Sequence, residues 1–233
     1  MTQYYTNERA DDGLRKYIAG VYSTMGVGLL ITAAMAYYCF IDIVNGGFFF
    51  RLCFTGMGPL LLAFIQLGVA LYLGTRINRM SVSKSRITFF LYCVLTGITF
   101  GTVPLAYGVG AVFQAFVYAA VMFFSCAVIG YTTRVDLTRF SGLLFGGLIS
   151  LLVCQVFGMI FGWGNSLFVG GLGIIIFMGM TAWDMQNIRK AYYYSGSYEQ
   201  SSKYAVISAL NLYLDFVNIF LYVLRFIGMN DND

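Results

Sequence analysis

The fold of this chain is decided by one apolar segment, Val206-Ile-Ser-Ala-Leu-Asn-Leu-Tyr-Leu-Asp215-Phe-Val-Asn-Ile-Phe-Leu-Tyr-Val-Leu-Arg225-Phe-Ile-Gly228. Its length and apolar character suit a helix inside a bilayer, yet an aspartate stands in its middle. On an α-helix, its polar residues share one face. They are Ser208, Asn211, Asp215, Asn218 and Tyr222. A carboxylate facing lipid costs about 2.5–3.5 kcal/mol, so this stripe should face protein or water and the helix should be central.

The composition supports the same conclusion. Hydrophobic residues make up 59% of the 233 residues and charged residues only 10%, against about 25% charged residues in soluble domains. This predicts an all-α integral membrane protein. We interpret the net charge of +4 as a mark of membrane topology and expect no nucleic-acid partner. Residues 1–16 are too polar for a cleavable signal peptide, so we expect none.

The side chains that usually hold cofactors are scarce. Histidine is absent and the five cysteines are scattered singly, which argues against zinc, haem and thiol–histidine chemistry. The chain also lacks a phosphate-binding loop and a nucleophile–base set, so we expect neither a cofactor nor an enzyme. An intramembrane aspartyl protease uses two membrane aspartates. However, Trp183-Asp184 and Leu214-Asp215 match its motifs poorly.

Apolar runs of about 20 residues divide the chain into seven predicted spans. They are Tyr17–Ile41, Thr55–Gly74, Ile87–Tyr107, Ala111–Tyr131, Phe140–Phe161, Ser166–Ile188 and 206–228. We therefore predict a single seven-helix membrane domain over 17–228, between an N-terminal tail of residues 1–16 and a C-terminal tail of residues 229–233.

Lysine and arginine predict the orientation, because short cytoplasmic loops carry an excess of both. Three lie in residues 1–16, and the even-numbered loops carry four, two and three. The first loop has one, and the third and fifth loops have none. The N-terminus is therefore predicted to be cytoplasmic. Arg225 alone does not decide whether the seventh segment crosses fully or is re-entrant.

Glycines spaced four residues apart predict sites where helices approach closely. Three such pairs occur: Gly97 with Gly101, Gly142 with Gly146, and Gly158 with Gly162. We interpret them as packing contacts within one chain.

Two acidic residues lie clearly inside the predicted spans, Asp184 and Asp215. Asp184 is about one turn from the cytoplasmic end of span six. The depths of the two carboxylates match if the seventh segment begins with an unwound or interfacial turn. Thr181 and Asn187 lie three residues on either side of Asp184 and give it polar neighbours on one helix face.

Two carboxylates in a low-dielectric site cannot both ionise at low cost, so they are expected to share a proton. Such a pair can act as a latch: the shared proton holds the helices together, and its loss separates them. The same oxygens would attract a hard cation such as calcium. They fall short of the six to eight oxygens of a tight calcium site, which predicts transient passage. Alternatively, each aspartate only forms hydrogen bonds to a neighbouring helix or a frayed terminus.

Two segments resemble the Bax inhibitor-1 family, especially its bacterial branch: Ala182-Trp-Asp184-Met-Gln-Asn-Ile188, and Ala209 to Arg225 around Asp215. Thr96-Gly-Ile-Thr99 before Pro104-Leu-Ala-Tyr107 is also similar to the third span of that family. The resemblance covers essentially the whole chain. It implies seven spans with the last at the centre, a bacterial inner-membrane location and a pH-sensitive calcium leak. It also implies that the aspartates form the latch of a cytoplasmic-side gate, with Arg76, or alternatively Arg79, as a counter-charge.

The first functional hypothesis is therefore a passive, proton-gated cation conduit in the lipid bilayer, with calcium as the permeant ion. Asp184 and Asp215 would form the gate and hold calcium transiently. Arg76 and Asn187 would support the pair, and Asn211 and Asn218 would orient the second carboxylate. The alternative is an interaction protein that moves no ion. Some bacterial relatives are similar to modulators of a membrane-bound AAA protease, and such a role would use the N-terminal tail and the basic loop 75–86.

Overall fold

The structure, a computed structural model, describes residues 2–54, 56–161, 167–195 and 197–230. Within these ranges the chain is helical almost throughout and contains no strand. The α-helices are α1 (Thr2–Val44), α2 (Phe48–Phe54), α3 (Gly58–Arg76), α4 (Val82–Phe100), α5 (Val103–Tyr107), α6 (Val109–Thr132), α7 (Ser141–Phe161), α8 (Leu167–Tyr194) and α9 (Tyr198–Asn230), and short 3-10 turns lie at Ile77–Arg79 and Leu137–Phe140.

Seven helical segments are long and apolar enough to cross a membrane. They are Asp12–Val44, Gly58–Arg76, Val82–Tyr107, Val109–Thr132, Leu137–Gly158, Phe168–Tyr194 and Glu199–Gly228. The third combines α4 with the short α5. The predicted class, an all-α integral membrane protein with seven spans, is confirmed.

The helices extend beyond the predicted spans. α1 begins at Thr2, so the described part of the predicted N-terminal tail is helical. The predicted connector 189–203 is mostly helical too, because α8 continues to Tyr194 and α9 begins at Tyr198. Adding a residue to an existing helix requires no new nucleation, so polar residues next to an apolar helix readily continue it. The predicted turn at 162–165 and residues 231–233 lie outside the described residues.

The chain forms two compact units, and the first comprises Met1–Ala106 and Ile188–Tyr213. Glycines bring α1 and α4 close together within it. A Cβ added to Gly97 would lie 2.6 Å from the Met35 Cβ, and one added to Gly101 would lie 2.6 Å from the Cys39 Cβ. The prediction that Gly97 and Gly101 pack within one chain is confirmed.

A buried hydroxyl network joins three helices of the first unit. The Thr32 hydroxyl on α1 lies 3.0 Å from the Cys93 carbonyl oxygen on α4 and 2.7 Å from the Tyr213 hydroxyl on α9. The edge of the Tyr213 ring also meets Phe89, at 5.7 Å between ring centroids. These contacts fix the first half of α9 within this unit.

The second unit comprises Tyr107–Asn187 and Leu214–Asp233. Here α6 and α8 approach through their backbones, because Gly130 leaves no room for a Cβ beside the Ala182 carbonyl. Phe216 on α9 packs edge-on against Phe123 on α6, with ring centroids 5.6 Å apart. By contrast, Cβ atoms added to Gly142 and Gly146 would meet open space. The prediction of packing within the chain is therefore wrong for this pair, and that for Gly158 with Gly162 lies partly outside the described residues.

α9 is by far the most buried of the seven spans. Of the most apolar window of Glu199–Gly228, 72% is buried inside the protein, against at most 33% in any other span. This burial agrees with the prediction that the helix carrying Asp215 is central. Residues 198–213 belong to the first unit, and residues 214–230 belong to the second.

Candidate functional site

Two long helices position the aspartates, and both aspartates lie in the second unit. Asp184 stands ten residues before the end of α8, and Asp215 stands seventeen residues after the start of α9. At about 1.5 Å per residue these distances are roughly 15 and 25 Å along the two helix axes. α9 is nevertheless a continuous helix from Tyr198. The expected unwound start of the seventh segment is therefore wrong, and the alternative, an interfacial first turn, stays a prediction.

The two carboxyl groups meet inside the protein. Asp184 is 5% exposed and Asp215 is 2% exposed, and the carboxyl groups lie within hydrogen-bonding reach of each other. The Asp215 Oδ2 atom is buried and has no hydrogen-bond partner. A buried ionised oxygen without a partner is costly. The arrangement therefore favours one proton held between the two carboxyl groups.

Two polar side chains on α8 lie beside the carboxyl pair. The Asn187 amide lies within reach of the Asp184 carboxyl group, and the Thr181 hydroxyl lies within reach of Asp215. Thr181 is fully buried, and its hydroxyl donates to the Phe177 carbonyl at 2.8 Å. The same hydroxyl gives the buried Asp215 carboxyl group a polar neighbour.

Aromatic side chains pack on the residues beside both aspartates. Phe216, next to Asp215, meets Phe116 and Phe123 at ring-centroid distances of 5.5 and 5.6 Å. Trp183, next to Asp184, meets the Phe145 ring at 5.4 Å, and its buried Nε1 has no hydrogen-bond partner. Apolar ring contacts therefore hold the chain neighbours of both aspartates in place.

The predicted polar stripe on α9 is buried only in part. Ser208 and Tyr222 are buried, and the Tyr222 hydroxyl accepts from Gln155 Nε2 at 2.6 Å. Asn211 is exposed, so the stripe does not face the interior along its whole length. Asn218 is half-buried and donates to the Leu214 carbonyl of its own helix at 2.7 Å. An action of Asn211 or Asn218 on Asp215 stays a prediction.

The predicted counter-charge and the predicted calcium site also stay predictions. Arg76 is exposed at the end of α3, and Arg79 is exposed in the 3-10 turn that follows. Both belong to the first unit. In the part of the chain that the structure describes, no three Cys, Asp or Glu side chains lie close enough together to hold a metal ion.

Two residues near the pair were missed in the sequence. Gly130 allows the close approach of α6 and α8. Gln186 is 9% exposed and bonds to the backbone after α6. The only signal for Gln186 was an amide side chain two residues after Asp184 in an apolar helix. No signal separated Gly130 from the chain's other glycines.

Comparison with known proteins identifies the family. The family profile described as "Inhibitor of apoptosis-promoting Bax1" matches residues 14–232. The chain belongs to the Bax inhibitor-1 family. The predicted resemblance is thereby confirmed, and the match includes both aspartates.

Bacterial relatives of the same extent support membership in the Bax inhibitor-1 family. An uncharacterised protein of Rickettsia prowazekii is 34% identical over 98% of this chain and 95% of its own length. An uncharacterised protein of Borreliella burgdorferi is 34% identical over 94% of each chain. The inner membrane protein YbhL of Escherichia coli K12 is 34% identical over 93% of this chain and 92% of its own length.

Proposed function

We propose that this protein is a passive calcium leak, gated by a proton that Asp184 and Asp215 share. The observation that carries the proposal is the buried carboxyl pair, in which the Asp215 Oδ2 atom has no hydrogen-bond partner. Membership in a family of membrane proteins agrees with this function, and no catalytic step is proposed.

Electrostatic repulsion between the two ionised carboxylates opens the gate. Two unit charges about 4 Å apart repel by roughly 4 kcal/mol at an effective dielectric constant of 20. A shared proton removes this repulsion and adds a charge-assisted hydrogen bond between α8 and α9. At acid pH the pair is held together and the conduit is closed. As the pH rises the proton leaves, the carboxylates repel each other, and the conduit opens.

The oxygens at the site suit passage of calcium better than storage. Asp184 and Asp215 supply carboxylate oxygens, which calcium prefers, and Thr181 adds a neutral oxygen. This set is smaller than the six to eight oxygens of a tight calcium site. A hard cation would therefore bind weakly to the separated pair and leave again, as conduction requires.

We propose that the protein lies in the bacterial inner membrane with its N-terminus in the cytoplasm. Lysine and arginine are concentrated in residues 1–16 and in the even-numbered loops, and the E. coli relative is named as an inner membrane protein. In this orientation the Asp184 end of the conduit faces the cytoplasm. Arg76 would supply a counter-charge to the pair when it is ionised.

Calcium flux into proteoliposomes across roughly pH 5 to 8 tests the proposal. We expect wild-type flux to rise with pH. Asp184→Asn and Asp215→Asn should give a flat profile, because an amide beside the remaining carboxyl group mimics the protonated partner. Asp12→Asn is the matched control, since Asp12 is exposed on α1. It should keep the wild-type profile.

Two results would contradict the proposal. A wild-type pH profile in both aspartate variants would exclude the pair as the gate. Absence of flux at every pH, from protein shown to be folded, would favour the alternative function, a non-transporting modulator of a membrane-bound AAA protease. Copurification of such a protease with the protein would then be the next measurement.

A further inference from the structure

Gln186 on α8 clamps the segment that follows α6. Its Oε1 atom accepts from the Leu137 backbone N–H at 2.9 Å, and its Nε2 atom donates to the Val135 carbonyl at 2.8 Å. The side chain is 9% exposed. One amide thus pairs with a donor and an acceptor two residues apart, in the way that a neighbouring strand would. All three residues belong to the second unit.

The clamp satisfies backbone groups that the fold leaves without partners. α6 ends at Thr132, and the 3-10 turn begins at Leu137. The Leu137 N–H and the Val135 carbonyl lie between these two elements and bond to the Gln186 side chain. Loss of the Gln186 amide would leave these groups to water, or unsatisfied at a cost of about 1–3 kcal/mol each where they are buried.

The same stretch of α8 carries Asp184 and makes a second backbone contact. Four residues before Gln186, the Ala182 carbonyl lies directly against Gly130 of α6. Ala182, Asp184 and Gln186 span little more than one helical turn. This turn is therefore held by Gly130 at one end and by the Gln186 clamp at the other, with Asp184 between them. α8 cannot shift at Asp184 without breaking one of the two contacts.

We propose that Gln186 is a positioning residue for the carboxyl pair: by holding the backbone of Val135 and Leu137, it fixes the turn of α8 that presents Asp184 to Asp215. The proposal rests on the proposed function only where it concerns flux. The charged side chains of the clamped segment, Arg134, Asp136 and Arg139, are all exposed. On α8, Arg189 and Lys190 lie five and six residues after Asp184.

Gln186→Met tests the proposal because methionine keeps the length of the side chain and removes both hydrogen bonds. The matched control is Gln114→Met on α6, where an exposed glutamine donates only to Tyr118 of its own helix, at 2.9 Å. Hydrogen–deuterium exchange over residues 133–140 reports on the clamp. We expect exchange there to be about tenfold faster in Gln186→Met, which corresponds to roughly 1.4 kcal/mol, and unchanged in Gln114→Met.

Infrared spectroscopy measures the protonation of the carboxyl pair independently of ion movement. The carbonyl-stretching band of the protonated carboxyl group is identified as the band that Asp215→Asn removes, and its intensity is followed against pH. We expect its midpoint to move by about one pH unit towards acid in Gln186→Met, because a looser pair admits water, which stabilises ionised carboxylates. The flux profile should move in the same direction.

The outcomes separate the two proposals. Faster exchange with an unmoved infrared midpoint would overturn the positioning role and leave Gln186 as a structural tether. Unchanged exchange would overturn the clamp itself. A moved midpoint in a protein that conducts no calcium would support the positioning role while the calcium leak fails.

Discussion

At the scale of single residues, Thr32 makes the most connected of the buried hydroxyl contacts. Its oxygen lies 3.0 Å from the Gly28 and Cys93 carbonyls and 2.7 Å from the Tyr213 hydroxyl. The Thr32 hydroxyl has one proton, which it can donate to either carbonyl. Its oxygen can then accept a hydrogen bond from the Tyr213 hydroxyl. The network therefore ties α1, α4 and α9 together with every hydroxyl proton used.

Thr32→Val should lower the free energy of unfolding by about 1–3 kcal/mol, because it removes the buried hydrogen bond of 2.7 Å between Thr32 and the Tyr213 hydroxyl. Thr24→Val is the control. Thr24 makes the same bond to the carbonyl four residues earlier, at an exposed site, and its loss should cost at most about 0.5 kcal/mol. Thermal unfolding in detergent measures both variants, and equal effects would show that the network adds nothing to stability.

Sequence reasoning found the aspartates and missed the clamp for one physical reason. A carboxyl group in an apolar helix is so costly that its position alone indicates a function. An amide such as Gln186 is tolerated in a helix for many reasons. Its importance depends on Val135 and Leu137, about fifty residues earlier, and nothing in the local pattern brings them together. The exposure of Asn211 could not be predicted either, because a polar stripe on a helix does not show which of its residues pack against other helices.

At the scale of helices, glycine decides how closely two of them approach. Gly130 lets the backbone of α6 touch the Ala182 carbonyl of α8, whereas Gly146 on α7 has open space around it. The two glycines look alike in sequence, since both lie in apolar helices. Only the partner helix distinguishes them, and this is why the expected packing of Gly142 and Gly146 was wrong.

Alanine substitutions at these two glycines should have opposite effects on stability. Gly130→Ala places a Cβ against backbone, which cannot move out of the way as a flexible side chain can, and should cost about 1–3 kcal/mol. Gly146→Ala adds a methyl group in open space within a helix and should stabilise by about 0.5–1 kcal/mol. Chemical unfolding in detergent compares the two, and a stable Gly130→Ala variant would contradict the close α6–α8 contact.

The number of spans was predictable and their ends were not. A helix needs about 20 apolar residues to cross a bilayer, and runs of that length can be read in the sequence. The seven apolar runs therefore predicted seven helices. Helix ends depend on capping and on neighbouring helices instead. In the third span, for example, the first helix ends at Phe100 and the next begins at Val103. Pro104 lies in the first turn of α5, where the missing N–H of proline is tolerated.

At the scale of the whole molecule, the basic residues of the loops predict the orientation of the protein in the membrane. We expect residues 77–81 on the cytoplasmic side and residues 108–110 on the outer side. The loop 75–86, which contains the first segment, carries four basic residues, and the second segment carries none. Arg79→Cys and Gly110→Cys, in a Cys154→Ser background, test this. A membrane-impermeant thiol reagent should label only Gly110→Cys in intact cells and both variants after disruption. Labelling of Arg79→Cys in intact cells would reverse the orientation.

The burial of α9 also has a consequence for biosynthesis. It is the last of the seven spans to leave the ribosome, yet it is the most buried. The six earlier helices must wait in the membrane with their inward faces unfilled. The span Glu199–Gly228 carries Asp215, Asn211 and Asn218. Because such groups are costly against lipid, we expect this span to insert against the earlier helices. Translation that stalls before Tyr198 would therefore leave six spans without the most buried one.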